Sequence, residues 1–404
     1  MTISVPLFAT KTNTYLGELG YRRKPMNSSQ ARLAGRYALE PDVDLDAFRC
    51  RAVIDWITIC VWLGKETQFR WLQRDAEKVL GVKCYVEACD KRPGAVSDKF
   101  DIRIQEPDLR RVRHLCSELT DKYGQHTLPF VRAIEVSVDF TPRQPDELSR
   151  AKMYTALTRH IWTSRDVIST PSRRPRFWPD RGERMGHTLA YSPLLPKHVN
   201  EHHLISTEHD RAPFIDATYY VGARNEGVRW RIMDKVVDRQ NKRTGTAIQL
   251  DDTQKRVRVE VTMDRSTVQE LGTTDLDDLQ HLRYSRLQKK FFTFMLPTFR
   301  DVQKMGRSRR SAVQAWRDRQ RMEKFGKTGM IGLQAMDDAL EQQIKELRRS
   351  SRHGLSQRGL KLKPPPRIGA GNSRRFLAYQ ELNERIGVAL RHLGERVVGE
   401  FSDP

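Results

Sequence analysis

Val131 to Pro142 read VRAIEVSVDFTP, a run in which apolar and polar side chains alternate through most of its length. A period of two is the mark of an extended strand with one dry face and one polar face. The segment therefore obliges the chain to build a sheet and to cover one side of it. Ile134, Val136, Val138 and Phe140 take the dry side, and Glu135, Ser137 and Asp139 take the other. The pattern returns in RAVIDWITICVWLG, where it predicts a strand over Val53–Trp62, and again in KFDIRIQEP. In KRVRVEVTMDR it sets Val257, Val259 and Val261 against Arg258, Glu260 and Thr262.

Helical spacing fills the gaps between these runs. ETQFRWLQRDAEKVLG closes on a Gly, DLRRVRHLCSELTDKYG has Asp108 placed to cap its start, and DELSRAKMYTALTRHIW begins near Asp146. The Pro- and Arg-rich insert STPSRRPRFWPDRGERMG predicts a loop or mobile arm. The order predicts an α+β fold, a mainly antiparallel sheet with packed helices, over residues 49–275. Residues 1–48 are expected to be a flexible leader. Residues 276–404 are expected to form a basic helical region, with a linker near 363–373 and a closing amphipathic helix.

Thr218 to Lys235 read TYYVGARNEGVRWRIMDK, two strand-like runs joined by a turn-rich ARNEG, and predict a hairpin. Its second run puts Val228, Trp230 and Ile232 on one face and Arg229, Arg231, Met233 and Lys235 on the other. The methionine among three cations is the odd member. Arg224, Arg229, Arg231 and Lys235 suit a phosphate backbone, because guanidinium groups fork onto phosphate oxygens.

Charge points the same way. The formal net charge is +21, and residues 281–375 hold 24 Lys or Arg against 7 acids, so a polyanion is the expected partner and DNA the first candidate. Arg307, Arg309, Arg310 and Arg317, in the helical stretch KMGRSRRSAVQAWRDRQRMEKFG, join Arg258 as candidate DNA contacts. No apolar run reaches the ~20 residues that span a bilayer, and the N-terminus lacks the order of a secretory signal. A cytoplasmic protein with no membrane partner is expected.

Other chemistries find less support. Cys50, Cys60, Cys84, Cys89 and Cys116 carry no CxxC pairing, which suggests reduced, mostly buried thiols and no zinc site. His198, His202, His203 and His209 lack the strand spacing that presents two imidazoles to one metal. No phosphate-cradling glycine loop or serine-hydrolase elbow occurs. Glu135 and Asp139 share a strand face, and Glu260 on another strand supplies a third acid. Such hard oxygen ligands suit Mg²⁺ or Mn²⁺, and solvated polar faces are the alternative.

Taken together, these segments resemble the replication initiation factor family, the rolling-circle plasmid initiators and related relaxases of integrative conjugative elements. The resemblance covers roughly residues 50–270: the strand IDWITI; the acids of AIEVSVD at Glu135 and Asp139; Tyr220, Gly222 and Arg224, then Arg231 to Lys235; and Arg258, Val259 and Glu260. It implies a metal-activated attack by tyrosine on a DNA phosphodiester, leaving a 5′-phosphotyrosyl link. Met233 stands where the family has that tyrosine, and a thioether has no proton to lose. Tyr219 or Tyr220, on the facing strand, is the candidate substitute, with Arg231 and Lys235 as catalytic cations.

Two readings follow: an origin-binding initiator or relaxase-like protein that nicks one strand with Mg²⁺ or Mn²⁺, or a DNA-binding regulator or accessory replication factor on the same scaffold. A helicase is a second candidate partner. RNA binding through Trp230, Tyr219 and Tyr220 is a third reading.

Overall fold

A computed structural model describes residues 3–10, 14–26, 33–90, 96–192, 194–241, 246–301, 309–360 and 375–402. In chain order the strands are β1 (Ile3–Phe8), β2 (Tyr15–Pro25), β3 (Arg36–Pro41), β4 (Phe48–Gln68), β5 (Tyr85–Ala88), β6 (Val96–Gln105), β7 (Gln125–Pro142), β8 (Ile161–Trp162) and β9 (Arg176–Asp180). They continue with β10 (Arg184–His187), β11 (Thr218–Val221), β12 (Val228–Lys235), β13 (Val237–Asn241), β14 (Thr246–Gln249), β15 (Arg256–Asp264), β16 (Thr293–Arg300) and β17 (Phe376–Ala378). The helices are α1 (Phe69–Leu80), α2 (Leu109–Tyr123), α3 (Glu147–His160), α4 (Lys197–Ile205), α5 (Arg265–Glu270), α6 (Ser285–Phe291), α7 (Arg309–Ser356) and α8 (Gln380–Ser402). The protein is α+β, and every strand pairing among the described residues is antiparallel.

The chain forms two compact units, each drawn from separated segments. One comprises Met1–Leu45, Asp146–Val221 and Thr293–Leu382. Its strands run β1-β2-β3-β16-β17, with β8 on β16, and β9 pairs with both β10 and β11. Asp146 caps α3 by accepting from Ser149 N at 2.7 Å. The long α7 breaks at Gly329, whose φ is 69° and where a Cβ would stand 2.7 Å from the Arg159 backbone. Only glycine tolerates both conditions. Lys324 and Asp210 form a buried ion pair at 2.9 Å.

Three expectations give way here. Residues 1–48 supply strands β1, β2 and β3 rather than a flexible leader, because Leu7, Leu19, Ala38 and Leu39 are buried. The Arg-rich insert forms β9 and β10, pinned by a buried Phe177 ring that occupies the space a side chain at Gly186 would need. The basic C-terminal region is not helical throughout, since Thr293–Arg300 and Phe376–Ala378 are strands with aromatic side chains turned inward. The linker near 363–373 lies outside the described residues.

The second unit comprises Asp46–Pro145, Gly222–Phe292 and Asn383–Pro404. Its strands run β12-β15-β7-β4-β6-β5. Val228, Trp230 and Ile232 line up in register with Met263, Val261 and Val259, and these with Ile134, Val136 and Val138, as the alternation predicts. All are buried. Asp108 caps α2 through Arg111 N at 3.2 Å, and Gly81 closes α1 at φ 69°. Both helices pack against β4.

Both strands of the expected hairpin form. Gly222 opens the turn at φ 88°, with Val228 O only 2.8 Å from where a Cβ would be.

Candidate functional site

The polar face of the second unit is built by register. Arg231 lies opposite Glu260, and Glu260 opposite Ser137; Met233 lies opposite Arg258, and Arg258 opposite Asp139. Asp139 in turn lies opposite Arg51 on β4. Between Ile54 and Trp56 the β4–β7 register shifts, and Asp55 sits at this bulge. A bulge re-aims the side chain it carries.

The outcome is a trio of acids, Asp55, Glu135 and Glu260, each offering one oxygen within 4.8 Å of the others. Glu135 and Glu260 keep only 2% exposure each. The alternative of a solvated polar face does not describe them. They sit on β7 and β15, interior strands of the sheet, where Arg231 reaches both acids and Thr262 bonds Glu135. Arg231 bonds Glu260 through Nε, and its Nη2 stands 3.4 Å from Glu135 Oε1. Thr262 Oγ1 donates to Glu135 Oε2 at 2.5 Å, and Arg229 Nε donates to Thr262 Oγ1 at 3.1 Å. Burial pushes the Glu260 carboxyl up to about 7, the facing Arg231 opposing this and the neighbouring Glu135 and Asp55 adding to it.

Asp139 does not join the trio. Arg258 donates Nε to Oδ1 at 2.6 Å and Nη2 to Oδ2 at 2.8 Å, and Arg256 Nε lies 3.0 Å from Oδ2. Four residues of strand, about 13 Å, separate it from Glu135. Asp55 takes the third place instead. The sequence held one signal for it, an acid inside an otherwise apolar strand, IDWITI. The expected phosphate contact by Arg258 also gives way, because its side chain is buried and binds Asp139 and Asp55.

The residues present suit a small hard cation. Carboxylate oxygens on adjoining octahedral positions at ~2.1 Å from an ion lie roughly 3 Å apart, so the trio closes on one with small side-chain shifts. Ser137 Oγ, opposite Glu260 in register, is buried with no hydrogen-bond partner among the described residues. An orphaned buried hydroxyl beside a carboxylate cluster calls for a further ligand or donor.

Cations flank the acids on both sides. Arg229, Arg231 and Lys235 lie half-buried along β12, where burial lowers the Lys235 and Arg229 pKa values. Arg224 is exposed in the turn. Toward the Asp139 end a cavity of about 640 Å³ is lined by Arg49, Arg51, Arg256, Arg258, Arg396 and Asp139. Arg49, Arg51 and Arg396 were not singled out in the sequence; alternation on β4 places the first two on this face.

Tyr219 and Tyr220 belong to the other unit. Tyr219 pairs with Phe177 and is 1% exposed, and its hydroxyl has no partner among the described residues. Burial raises its pKa well above that of an ordinary phenol, which overturns its expected role as nucleophile. Tyr220 points to the opposite face of β11 and is half-buried, with Arg176 5.8 Å from its ring centre. On α7, Arg317 is exposed. Arg307 lies outside the described residues, and only the backbone of Arg309 and Arg310 is described. The ring of Trp230 is buried, with Nε1 donating to Phe291 O at 2.6 Å, so it offers no stacking platform for bases.

No helix among the described residues is long and apolar enough to cross a membrane. No family model matches this chain, and no curated protein matches it.

Proposed function

We propose that this protein binds DNA and cleaves one strand at an origin or transfer origin, as a replication initiator or relaxase-like enzyme, using Mg²⁺ or Mn²⁺ held by Asp55, Glu135 and Glu260. The observation that carries the reading is the meeting of three carboxylates from three separate strands within 4.8 Å. Bound there, the cation would polarise a phosphate oxygen and offset the charge that develops on phosphorus. Arg231, Arg229 and Lys235 on one side, and Arg49, Arg51 and Arg256 on the other, hold the phosphates. The distance from β12 to β4 is three strand spacings, roughly 14 Å, room for two or three phosphates of a single strand. The attacking group of this reading is a phenol oxygen that replaces the 3′ oxygen at phosphorus; of the two tyrosines, Tyr220 keeps part of its ring exposed. A cytoplasmic location and a helicase partner belong to this reading.

A second reading, DNA binding without cleavage, draws on one observation: Arg231 and Arg258 already compensate the acids. Incubation with supercoiled plasmid carrying the protein's own genomic neighbourhood separates the two. The first reading expects a Mn²⁺-dependent nicked circle with protein attached to its 5′ end. An intact supercoil despite tight, salt-sensitive binding establishes the second.

A further inference from the structure

The sequence gives the cysteines no pairing, yet strands far apart in the chain gather two of them. Cys60 on β4 lies opposite Asp101 on β6, and Asp101 lies opposite Glu87 on β5. Two residues beyond Glu87, Cys89 extends the ladder by donating its backbone N–H to Lys99 O at 2.9 Å. Cys60, Asp101 and Cys89 therefore share a sheet face, and Sγ, a carboxylate oxygen and Sγ all lie within 4.8 Å of one another.

We propose that Cys60, Cys89 and Asp101 bind a soft divalent cation of the zinc class. Thiolates at ~2.3 Å from a tetrahedral ion stand roughly 3.7 Å apart, so the cluster closes on a metal with small adjustments. A disulfide fits less well. β6 lies between the two cysteine-bearing strands, which places their backbones about 9.6 Å apart, beyond the ~7 Å Cα limit for a bridge. Asp101 Oδ1 is shut from solvent, while Oδ2 faces Arg132 Nε at 3.6 Å. The carboxylate meets both thiols through hydrogen bonds, which a cation would replace with metal bonds and a disulfide would remove. Cys60 is buried and Cys89 exposed, so the fourth position opens to water. Such a metal ties β5, the terminal strand of the unit, across β6 to β4.

This site is independent of the carboxylate trio, because its sulfur ligands select a different ion class. The test is titration of the reduced, metal-free full chain with Cd²⁺, read by sulfur-to-cadmium charge-transfer absorption. One equivalent should bind, with Mg²⁺ failing to compete. Cys89→Ser, at an exposed position, should abolish the band; Asp101→Asn should weaken binding by on the order of tenfold or more; Glu260→Gln should leave it unchanged. Bound Zn²⁺ should also slow alkylation of Cys89. No charge-transfer band, a band unaltered by Cys89→Ser, or a Cys60–Cys89 disulfide found by mass spectrometry after mild oxidation would overturn the proposal.

Discussion

Arg258 grips both oxygens of Asp139, Nε to Oδ1 at 2.6 Å and Nη2 to Oδ2 at 2.8 Å. This buried fork holds an acid that sits on the same strand face as Glu135 and directs it to a structural task. Asp139→Asn should therefore lower stability by about 3 kcal/mol, the scale for stripping one partner from a buried pair, while divalent-cation binding persists. Urea unfolding and Mn²⁺ titration of the same variant check both halves, and loss of Mn²⁺ binding by the folded variant would return Asp139 to the cation site.

Asp55→Asn, Glu135→Gln and Glu260→Gln should each weaken Mn²⁺ binding on the order of tenfold or more, because each removes one anionic oxygen from a small hard ion. Plasmid nicking should fall with them. Isothermal titration beside a gel assay reads both. Equal loss in all three marks one shared site.

Tyr219→Phe should leave nicking intact and be neutral or stabilising by about 1 kcal/mol, because the deleted hydroxyl is buried without a partner. Tyr220→Phe should abolish the covalent protein–DNA adduct. Denaturing gels of labelled DNA read the adduct directly.

His160 gives a pH signature. Its ring sits among Tyr21, Phe325 and Tyr379, with Nδ1 2.7 Å from Met295 O, and burial lowers its pKa to about 4 from 6.5. The unfolded chain then binds the extra proton first as pH falls, so this histidine's contribution is present above pH 6.5 and is lost between about 6.5 and 4. The loss is about 3 kcal/mol. His160→Phe should flatten the difference in unfolding free energy between pH 7 and pH 4.5 relative to the parent chain.

The strands and caps of the second unit were legible because their signals are local. Alternation at Ile134–Phe140 and Val257–Val261, and the capping residue Asp108, need no distant partner, and the same holds for Asp146 in the first unit. Glu135 and Glu260 followed from alternation as well. Asp55 did not, because its direction is set by a register shift that only strand pairing reveals. The early strands were hidden for a related reason: β3 is ordered by pairing with β16, some 260 residues away, and tertiary pairing overrides a weak local pattern. Arg258 looked like a phosphate contact because the sequence cannot say that an acid on the next strand will claim it first. The Cys60–Asp101–Cys89 cluster likewise depends on β4, β6 and the residue after β5 meeting, with 29 positions from Cys60 to Cys89 and 12 from Cys89 to Asp101.

Electron paramagnetic resonance of Mn²⁺ added to the full chain and to Asp55→Asn reads occupancy of the carboxylate site itself. One bound ion, displaced by Mg²⁺, is expected in the parent chain, and binding weaker on the order of tenfold or more in the variant. Free-ion signal in the parent chain, or identical binding in the two proteins, would contradict this expectation.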